Sequence, residues 1–138
     1  MIKNSLQLIN APLIPGYIES SRSGAYPPIN LLSLATYLYE KKSYYSVEIL
    51  DGEILSFDEI KNKLYGEYVG FSTNILNYSG TLELASVAKE RGCKVIFGGH
   101  YSSALAETIL QNRKFVDYII IGDGEEALFS LLQSDDLT

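Results

Sequence analysis

Lys94-Val95-Ile96-Phe97-Gly98-Gly99 is the stretch of this sequence that decides the fold. Three successive apolar residues, Val95 to Phe97, are typical of a strand that is covered on both faces, and helices cover both faces in parallel sheets. The two glycines that follow mark the end of the strand and leave its tip without side chains. The stretch therefore predicts a buried strand of a parallel α/β sheet with a bare turn at its carboxyl end.

Four further runs rich in β-branched or aromatic residues predict strands on either side of this one. Segments with helical signals separate them, so the chain alternates strand and helix five times. The predicted strands are residues 6–10, 45–50, 68–72, 94–98 and 117–121, and the predicted helices are 29–42, 56–65, 81–91, 102–111 and 125–133. This rhythm indicates a right-handed, doubly wound α/β domain.

The helix ends carry recognisable signals. Pro27-Pro28 precedes the first helix, where proline already has the dihedral angle of a first turn. Ser56 and Glu59 have the spacing of a capping box, and we expect Gly66 to stop that helix. The last five residues lose the periodic pattern, so we expect the domain to occupy residues 1–133 and residues 134–138 to begin a linker.

Composition excludes several classes of protein. At 138 residues and 46% hydrophobic, the chain suits one domain with its own core. The net charge of −6 comes from scattered acidic residues, which argues against a nucleic-acid surface. Cys93 is the only cysteine, so a disulfide or a cysteine-based metal cluster within the chain is excluded. No apolar run reaches the length of a membrane span, and we expect a cytoplasmic protein.

Ligands of open parallel sheets bind beyond the carboxyl ends of the strands. That rule selects five loops: residues 10–28, 51–56, 72–79, 98–102 and 122–125. The first is far longer than the usual βα turn, and long loops at such places are usually functional. The third offers hydroxyl and amide groups for a polar ligand, although Asn77 or Ser79 could instead cap the next helix.

Two more loops carry glycine pairs. Gly98-Gly99 would let a ligand or a neighbouring backbone approach closely, and Gly122 and Gly124 leave room beside the last helix. Glu125 also suits the amino end of that helix for purely structural reasons. His100 is the only histidine and has no identifiable titratable partner, so we see no catalytic constellation in the chain.

Several common motifs are missing from the chain. It has no GxGxxG after the first strand, no GxxxxGK[ST] and no GxSxG. Their absence disfavours a dinucleotide site, a nucleoside triphosphate site and a nucleophile elbow.

The motifs that are present, taken in order, resemble the amino-terminal cobalamin-binding domain of radical SAM enzymes. They are the proline-rich first loop, Pro27 to Leu38, Val47-Glu48-Ile49-Leu50-Asp51, Val69-Gly70-Phe71-Ser72, Gly98-Gly99 and Gly122-Asp123-Gly124-Glu125-Glu126. The resemblance covers nearly the whole chain. It implies a flavodoxin-like (Rossmann-like) three-layer sandwich with a five-stranded parallel sheet of order 2-1-3-4-5.

The resemblance also implies where cobalamin binds, with the corrin over the strand ends and the nucleotide tail beside the sheet. The glycine pair would line the tail channel, Ser72 or Thr73 would hydrogen-bond the tail, and Asn74 or Asn77 could lie under the cobalt. The residues expected to bind the cofactor are Asn10, Pro12, Pro28, Ser72, Thr73, Asn74, Asn77, Gly98, Gly99, His100, Tyr101, Gly122, Gly124 and Glu125.

Two departures from related domains matter. Methyltransferase and mutase domains carry DxHxxG after the first strand, whereas this chain has Asn10-Ala11-Pro12-Leu13-Ile14-Pro15-Gly16. Cobalt ligation by that histidine is therefore excluded, and radical SAM relatives lack it as well. In addition, His100-Tyr101 follows the glycine pair where relatives commonly have proline and then histidine.

The CxxxCxxC that would hold an iron–sulfur cluster is absent, so the cluster and S-adenosylmethionine would belong to a radical SAM domain that follows this one or is a separate chain. In the parent enzyme the cofactor would carry the chemistry, with methyl transfer as the expected reaction. Two alternatives remain open: a cofactor-free interaction or scaffold domain that retains the fold, and a flavin-binding flavodoxin-like protein.

Overall fold

A computed structural model of the chain describes residues 2–13 and 28–136. Most of the long first loop, residues 14–27, lies outside this range, as does the end of the predicted linker. The strands are β1 (Ile2–Asn10), β2 (Ser46–Asp51), β3 (Gly66–Ser72), β4 (Lys94–Gly98) and β5 (Tyr118–Ile119). The helices are α1 (Ile29–Glu40), α2 (Phe57–Asn62), α3 (Tyr78–Glu90), α4 (His100–Ala104), α5 (Ala106–Asn112) and α6 (Glu125–Asp136).

The five strands form one parallel sheet in the order β2-β1-β3-β4-β5. This confirms the predicted flavodoxin-like fold. The strand order reverses beside β1, so the tips of β1 and β3 are neighbours although α1, β2 and α2 separate them in sequence. Such a reversal is where open α/β sheets bind ligands.

Two apolar cores lie on opposite faces of the sheet. On one face, Leu31 and Leu38 of α1 and Leu128 and Leu132 of α6 pack over Ile96 and its neighbours. On the other face, α2, α3 and α5 pack over the alternate residues of the same strands, such as Val95 and Phe97. Burial of each of these large side chains stabilises the fold by roughly 1.5–3 kcal/mol. The run Val95-Ile96-Phe97 is apolar throughout because it serves both cores.

The capping box at the start of α2 is confirmed, since Ser56 and Glu59 each accept the other's backbone N–H. The predicted end of that helix is wrong. The helix stops at Asn62, and Gly66 begins β3 rather than ending α2. The reason is Gln7, whose buried side-chain oxygen accepts the N–H groups of Tyr65 and Gly66 and draws them into the sheet.

The helix predicted over residues 102–111 is in fact two short helices. Gly99 is the N-cap of α4, which begins at His100, two residues earlier than predicted. Leu105 departs from helical dihedral angles and separates α4 from α5. His100 therefore lies in the first turn of a helix rather than in a loop. At the chain's end α6 continues to Asp136, three residues beyond the predicted boundary at Gln133.

None of the helices in the described part of the chain is both long enough and apolar enough to cross a membrane.

Candidate functional site

A cavity of about 440 Å³ opens at the carboxyl edge of the sheet, between the sheet and the layer formed by α1 and α6. Its floor is apolar, with Leu8 and Ile96 from the sheet, Leu34 from α1 and Leu128 from α6. Its mouth is polar. Ligand pockets in proteins have this size and this combination of an apolar body with a few polar groups.

Two neighbouring strands present glycine to the cavity, at positions where their neighbours carry side chains. Gly70 of β3 pairs with Ile96 of β4, and Ser72 pairs with Gly98. A Cβ added at Gly98 would meet no other part of the protein within 4 Å, so that position faces open space. At Gly70 a Cβ would lie 3.3 Å from Leu8, which means that this glycine lets Leu8 pack closely.

Ser72 is the best placed of the predicted hydroxyl donors. It ends β3 at the cavity mouth, and its Oγ accepts a hydrogen bond of 2.7 Å from Asn30 Nδ2 in the first turn of α1. A serine hydroxyl can accept and donate at the same time. The Ser72 proton is therefore available to a ligand in the cavity.

The hydroxyl of Thr73 hydrogen-bonds to other residues of the protein. Its hydroxyl donates to the carbonyl of Gly98 at 2.7 Å, accepts the N–H of Ser102 at 3.1 Å and lies 2.5 Å from the Ser102 hydroxyl. The Thr73 N–H also donates to the Gly98 carbonyl. These bonds join the tips of β3 and β4, so Thr73 lines the cavity with little hydrogen-bonding capacity left for a ligand.

Gly99 is explained by the backbone rather than by a ligand. It has a φ of +96°, and a Cβ there would fall 2.5 Å from the Thr73 carbonyl oxygen. The two glycines of the pair thus have different functions. Gly98 leaves space in the cavity, and Gly99 allows β4 to turn tightly against the β3 loop.

Asn10 and Asn77 belong to a hydrogen-bonded network at the switch point instead of lining the cavity. Asn77 is fully buried; its amide nitrogen donates to Asn10 and to the Ser72 carbonyl, and its oxygen accepts the Asn74 N–H. Asn10 in turn donates to Asp51 at the tip of β2. Asn77 occupies the N-cap position of α3, as one alternative expected, but its side chain makes no cap bond, and Ser79 lies inside the helix.

Tyr101 points to the opposite face of the sheet. Its ring packs against Tyr78 at a centroid distance of 4.5 Å, and Tyr78 contacts Phe97 in the core beneath α3. Burial raises the pKa of Tyr78 above 10.0, while Arg113 partly opposes that shift. Pro12 and Pro28 also lie outside the cavity wall, and Pro28 is the N-cap of α1.

The amino end of α6 closes the far side of the cavity. Ser33 of α1 donates to Glu125 at 3.1 Å, which joins the two helices across the mouth. Gly124 allows this approach, because a Cβ there would lie 3.3 Å from Leu34. Gly122 has a φ of +77° and donates its N–H to Ser103, so it completes the turn out of β5.

The structure therefore brings nine of the fourteen predicted residues to one cavity and leaves five outside its wall. The nine are Ser72, Thr73, Asn74, Gly98, Gly99, His100, Gly122, Gly124 and Glu125. The cavity is also lined by Gly70, Asn30, Ser103 and Asp123, which were not among the predicted residues. No group of His, Cys, Asp or Glu suited to hold a metal ion was found in residues 2–13 and 28–136.

Comparison with known families gives a match to the B12 binding domain over residues 18–132, which is most of the chain. The chain belongs to the B12-binding domain family. B12 is cobalamin, so the match confirms the cobalamin-binding part of the resemblance and the cofactor that it implied. A comparison with curated proteins gave no match.

Solved structures with the same fold include the radical S-adenosylmethionine methyltransferase TsrM from Kitasatospora setae, in a structure with cobalamin and a [4Fe-4S] cluster bound. The TM-score is 0.74 at 18% identity, and the match covers 99% of this chain but only 27% of TsrM. The amino-terminal domain of the hypothetical protein TM0182 from Thermotoga maritima matches at 27% identity with a TM-score of 0.52, over 83% of this chain and 88% of that one.

The residues that line the cavity match the chemical groups of a B12 nucleotide tail. An elongated group that ends in a flat apolar ring needs an apolar slot, and Leu8, Leu34 and Leu128 provide one. Gly98 leaves open space along the wall where such a group would enter. Ser72 at the mouth offers a donor to the polar part of the ligand. The residues present therefore fit the cofactor of the family.

Proposed function

We propose that this domain binds cobalamin, with the nucleotide tail in the cavity between the sheet and the α1/α6 layer and the corrin over the carboxyl edge. The observation that carries the proposal is the open cavity beside Gly98 in a member of the B12-binding family. The contributions expected of individual residues follow from the contacts described above.

Ser72 donates its hydroxyl proton to the tail while Asn30 holds its oxygen in place. Gly98 supplies clearance, so that the tail can lie flat against β4. Thr73 and Gly99 act indirectly, since they fix the β3 and β4 loops against one another. His100 is exposed at the cavity wall and could contact the cofactor's polar periphery.

We further propose that residues 1–133 are the cobalamin module of a radical SAM enzyme of methyltransferase type. The fold shared with TsrM, which binds cobalamin and an iron–sulfur cluster, supports this reading. The bound cofactor would supply the methyl-transfer chemistry. The iron–sulfur cluster and S-adenosylmethionine would belong to a radical SAM domain on the same chain or on a partner.

The scaffold alternative requires the channel beside Gly98 to be filled by the protein's own side chains. Among the described residues that position faces open space, which favours a ligand. The flavin alternative would need groups that attract a phosphate monoester. The described wall of the cavity contains Asp123 and Glu125 but no lysine or arginine, which disfavours the nearly dianionic phosphate monoester of a flavin more than the monoanionic phosphodiester of a cobalamin tail.

Titration of the purified domain with hydroxocobalamin tests the proposal. We expect saturable one-to-one binding by calorimetry, co-elution on gel filtration and a change in the visible spectrum of the corrin. Flavin mononucleotide is the control ligand and should not bind. A cobalamin affinity no better than that of an unrelated α/β protein would refute the proposal.

A further inference from the structure

The positive charges of the described residues lie at one end of the molecule. Of eleven lysines and arginines, Arg22 lies outside the described residues. The other ten lie at the ends of helices or at the starts of strands, which is the amino edge of a parallel sheet. They are Lys3, Lys41, Lys42, Lys61, Lys63, Lys89, Arg91, Lys94, Arg113 and Lys114.

The carboxyl edge, where the cavity opens, has the opposite composition. Within the described residues its charged side chains are acidic. These acids are Asp51, Glu53, Asp58, Glu59, Asp123, Glu125 and Glu126. Asp123 and Glu125 line the cavity itself.

Helix dipoles explain why such an arrangement stabilises the fold, since acids favour helix amino ends and cations favour carboxyl ends. The same arrangement has a consequence for binding. Glu125 and Glu126 occupy the first turn of α6, so they offset the positive end of its dipole at the cavity mouth. The charged side chains that the structure describes on the cavity wall are therefore acidic, and a ligand that enters the cavity meets no lysine or arginine on this described wall.

We propose that this negative edge selects corrinoids by charge, so that the site takes neutral or cationic corrinoids and discriminates against those that carry extra carboxylates. The inference rests on the proposed function. It assigns selection to Asp123 and Glu125, the two acids on the cavity wall. Corrins carry several peripheral amides, and hydrolysis of one amide to a carboxylate adds a single negative charge with little change in shape.

The probes are cyanocobalamin and its monocarboxylic acid, in which one side-chain amide is hydrolysed; both have the same axial ligands. At low salt we expect the monocarboxylic acid to bind about threefold to tenfold more weakly, the effect of one like charge at the edge of the protein. Raising the salt from about 20 mM to about 500 mM shortens the Debye length and should bring the two dissociation constants together. A lost hydrogen bond alone would not respond to salt in this way.

A double variant, Asp123→Asn with Glu125→Gln, should reduce the ratio of the two dissociation constants towards one. Glu40→Gln with Glu90→Gln is the matched control, because it removes the same charge from exposed positions at the far ends of α1 and α3. The control should keep the wild-type ratio. Equal binding of the two corrinoids to the wild-type protein at low salt, or an equal loss of discrimination in both variants, would overturn the charge inference alone. Failure of cyanocobalamin itself to bind would overturn the proposed function.

Discussion

The carbonyl oxygen of Thr73 lies 2.5 Å from the position that a Cβ on Gly99 would occupy, whereas a Cβ on the adjacent Gly98 would face open space. Two neighbouring glycines therefore have separable functions. One is required by the fold, and the other leaves room in the cavity.

Substitution of the two glycines should separate stability from binding. Gly99→Ala forces a non-glycine residue to a φ of +96° against the Thr73 backbone, and we expect a loss of at least about 2 kcal/mol in the free energy of unfolding. Gly98→Ala should leave that free energy within about 1 kcal/mol of the wild type. Urea unfolding followed by circular dichroism measures both. Equal destabilisation by the two changes would contradict the assignment.

Binding should depend on the size of the side chain at position 98. Gly98→Leu places a large apolar group in the space that the tail is proposed to enter, so we expect cobalamin affinity to fall more than about tenfold while the protein stays folded. Gly98→Ala is the matched control, and we expect it to lower cobalamin affinity by less than Gly98→Leu does. Calorimetry and gel filtration with cobalamin measure the effect, and full affinity in a folded Gly98→Leu variant would place the tail elsewhere.

Asn77 should be one of the most sensitive polar positions outside the cavity. Asn77→Ala removes the buried side chain that bonds to Asn10, to the Ser72 carbonyl and to the Asn74 N–H. We expect the free energy of unfolding to fall by about 2–3 kcal/mol. Asn112 is a suitable control, because it is exposed and donates only within its own helix, to the Thr108 carbonyl. Asn112→Ala should change the free energy of unfolding by less than about 0.5 kcal/mol.

The fold could be predicted from the sequence because its determinants are local. Apolar runs such as Val95 to Phe97 indicate buried strands, and the capping box at Ser56 sets a helix start. The start of β1 could not be predicted in this way. Three of its first four residues, Lys3, Asn4 and Ser5, are polar, and Ser5 lies in the sheet because its hydroxyl accepts the N–H of Glu67, a residue distant in sequence.

The site could be predicted in outline from the ends of the predicted strands, but the predicted set of residues was incomplete. Gly98 and Ser72 end predicted strands, so their place at the carboxyl edge follows from topology. Tyr101 and Asn30 lie on helices, and how those helices pack on the sheet decides their surroundings: Tyr101 packs against Tyr78, away from the cavity, and Asn30 donates to Ser72 at its mouth. The sequence carries no local sign of either outcome.

Tyr68 has a buried hydroxyl that has no hydrogen-bond partner among residues 2–13 and 28–136. Its ring is fully buried and packs against Tyr45 and Tyr118, which stabilises the fold. Burial of the hydroxyl oxygen without a hydrogen bond opposes this stabilisation. We expect Tyr68→Phe to leave the free energy of unfolding unchanged or to raise it by about 1 kcal/mol. Tyr65→Phe is the contrasting change, because it removes a 3.0 Å hydrogen bond to Glu48 and should be destabilising.

Cys93 should behave as an inert core thiol. It is 1% exposed, and burial raises its pKa above the ordinary 9.0. Since the thiolate is the reactive form, we expect slow reaction with a thiol reagent at about pH 8 in the folded protein and fast reaction after unfolding.

A raised folded-state pKa means that the neutral thiol contributes stability in full below the unfolded-state pKa, and that this contribution is lost as the pH rises through the folded-state value. The free energy of unfolding of the wild type should therefore fall more steeply above about pH 9 than that of Cys93→Ala, and parallel curves for the two proteins would show that the thiol does not titrate differently on unfolding.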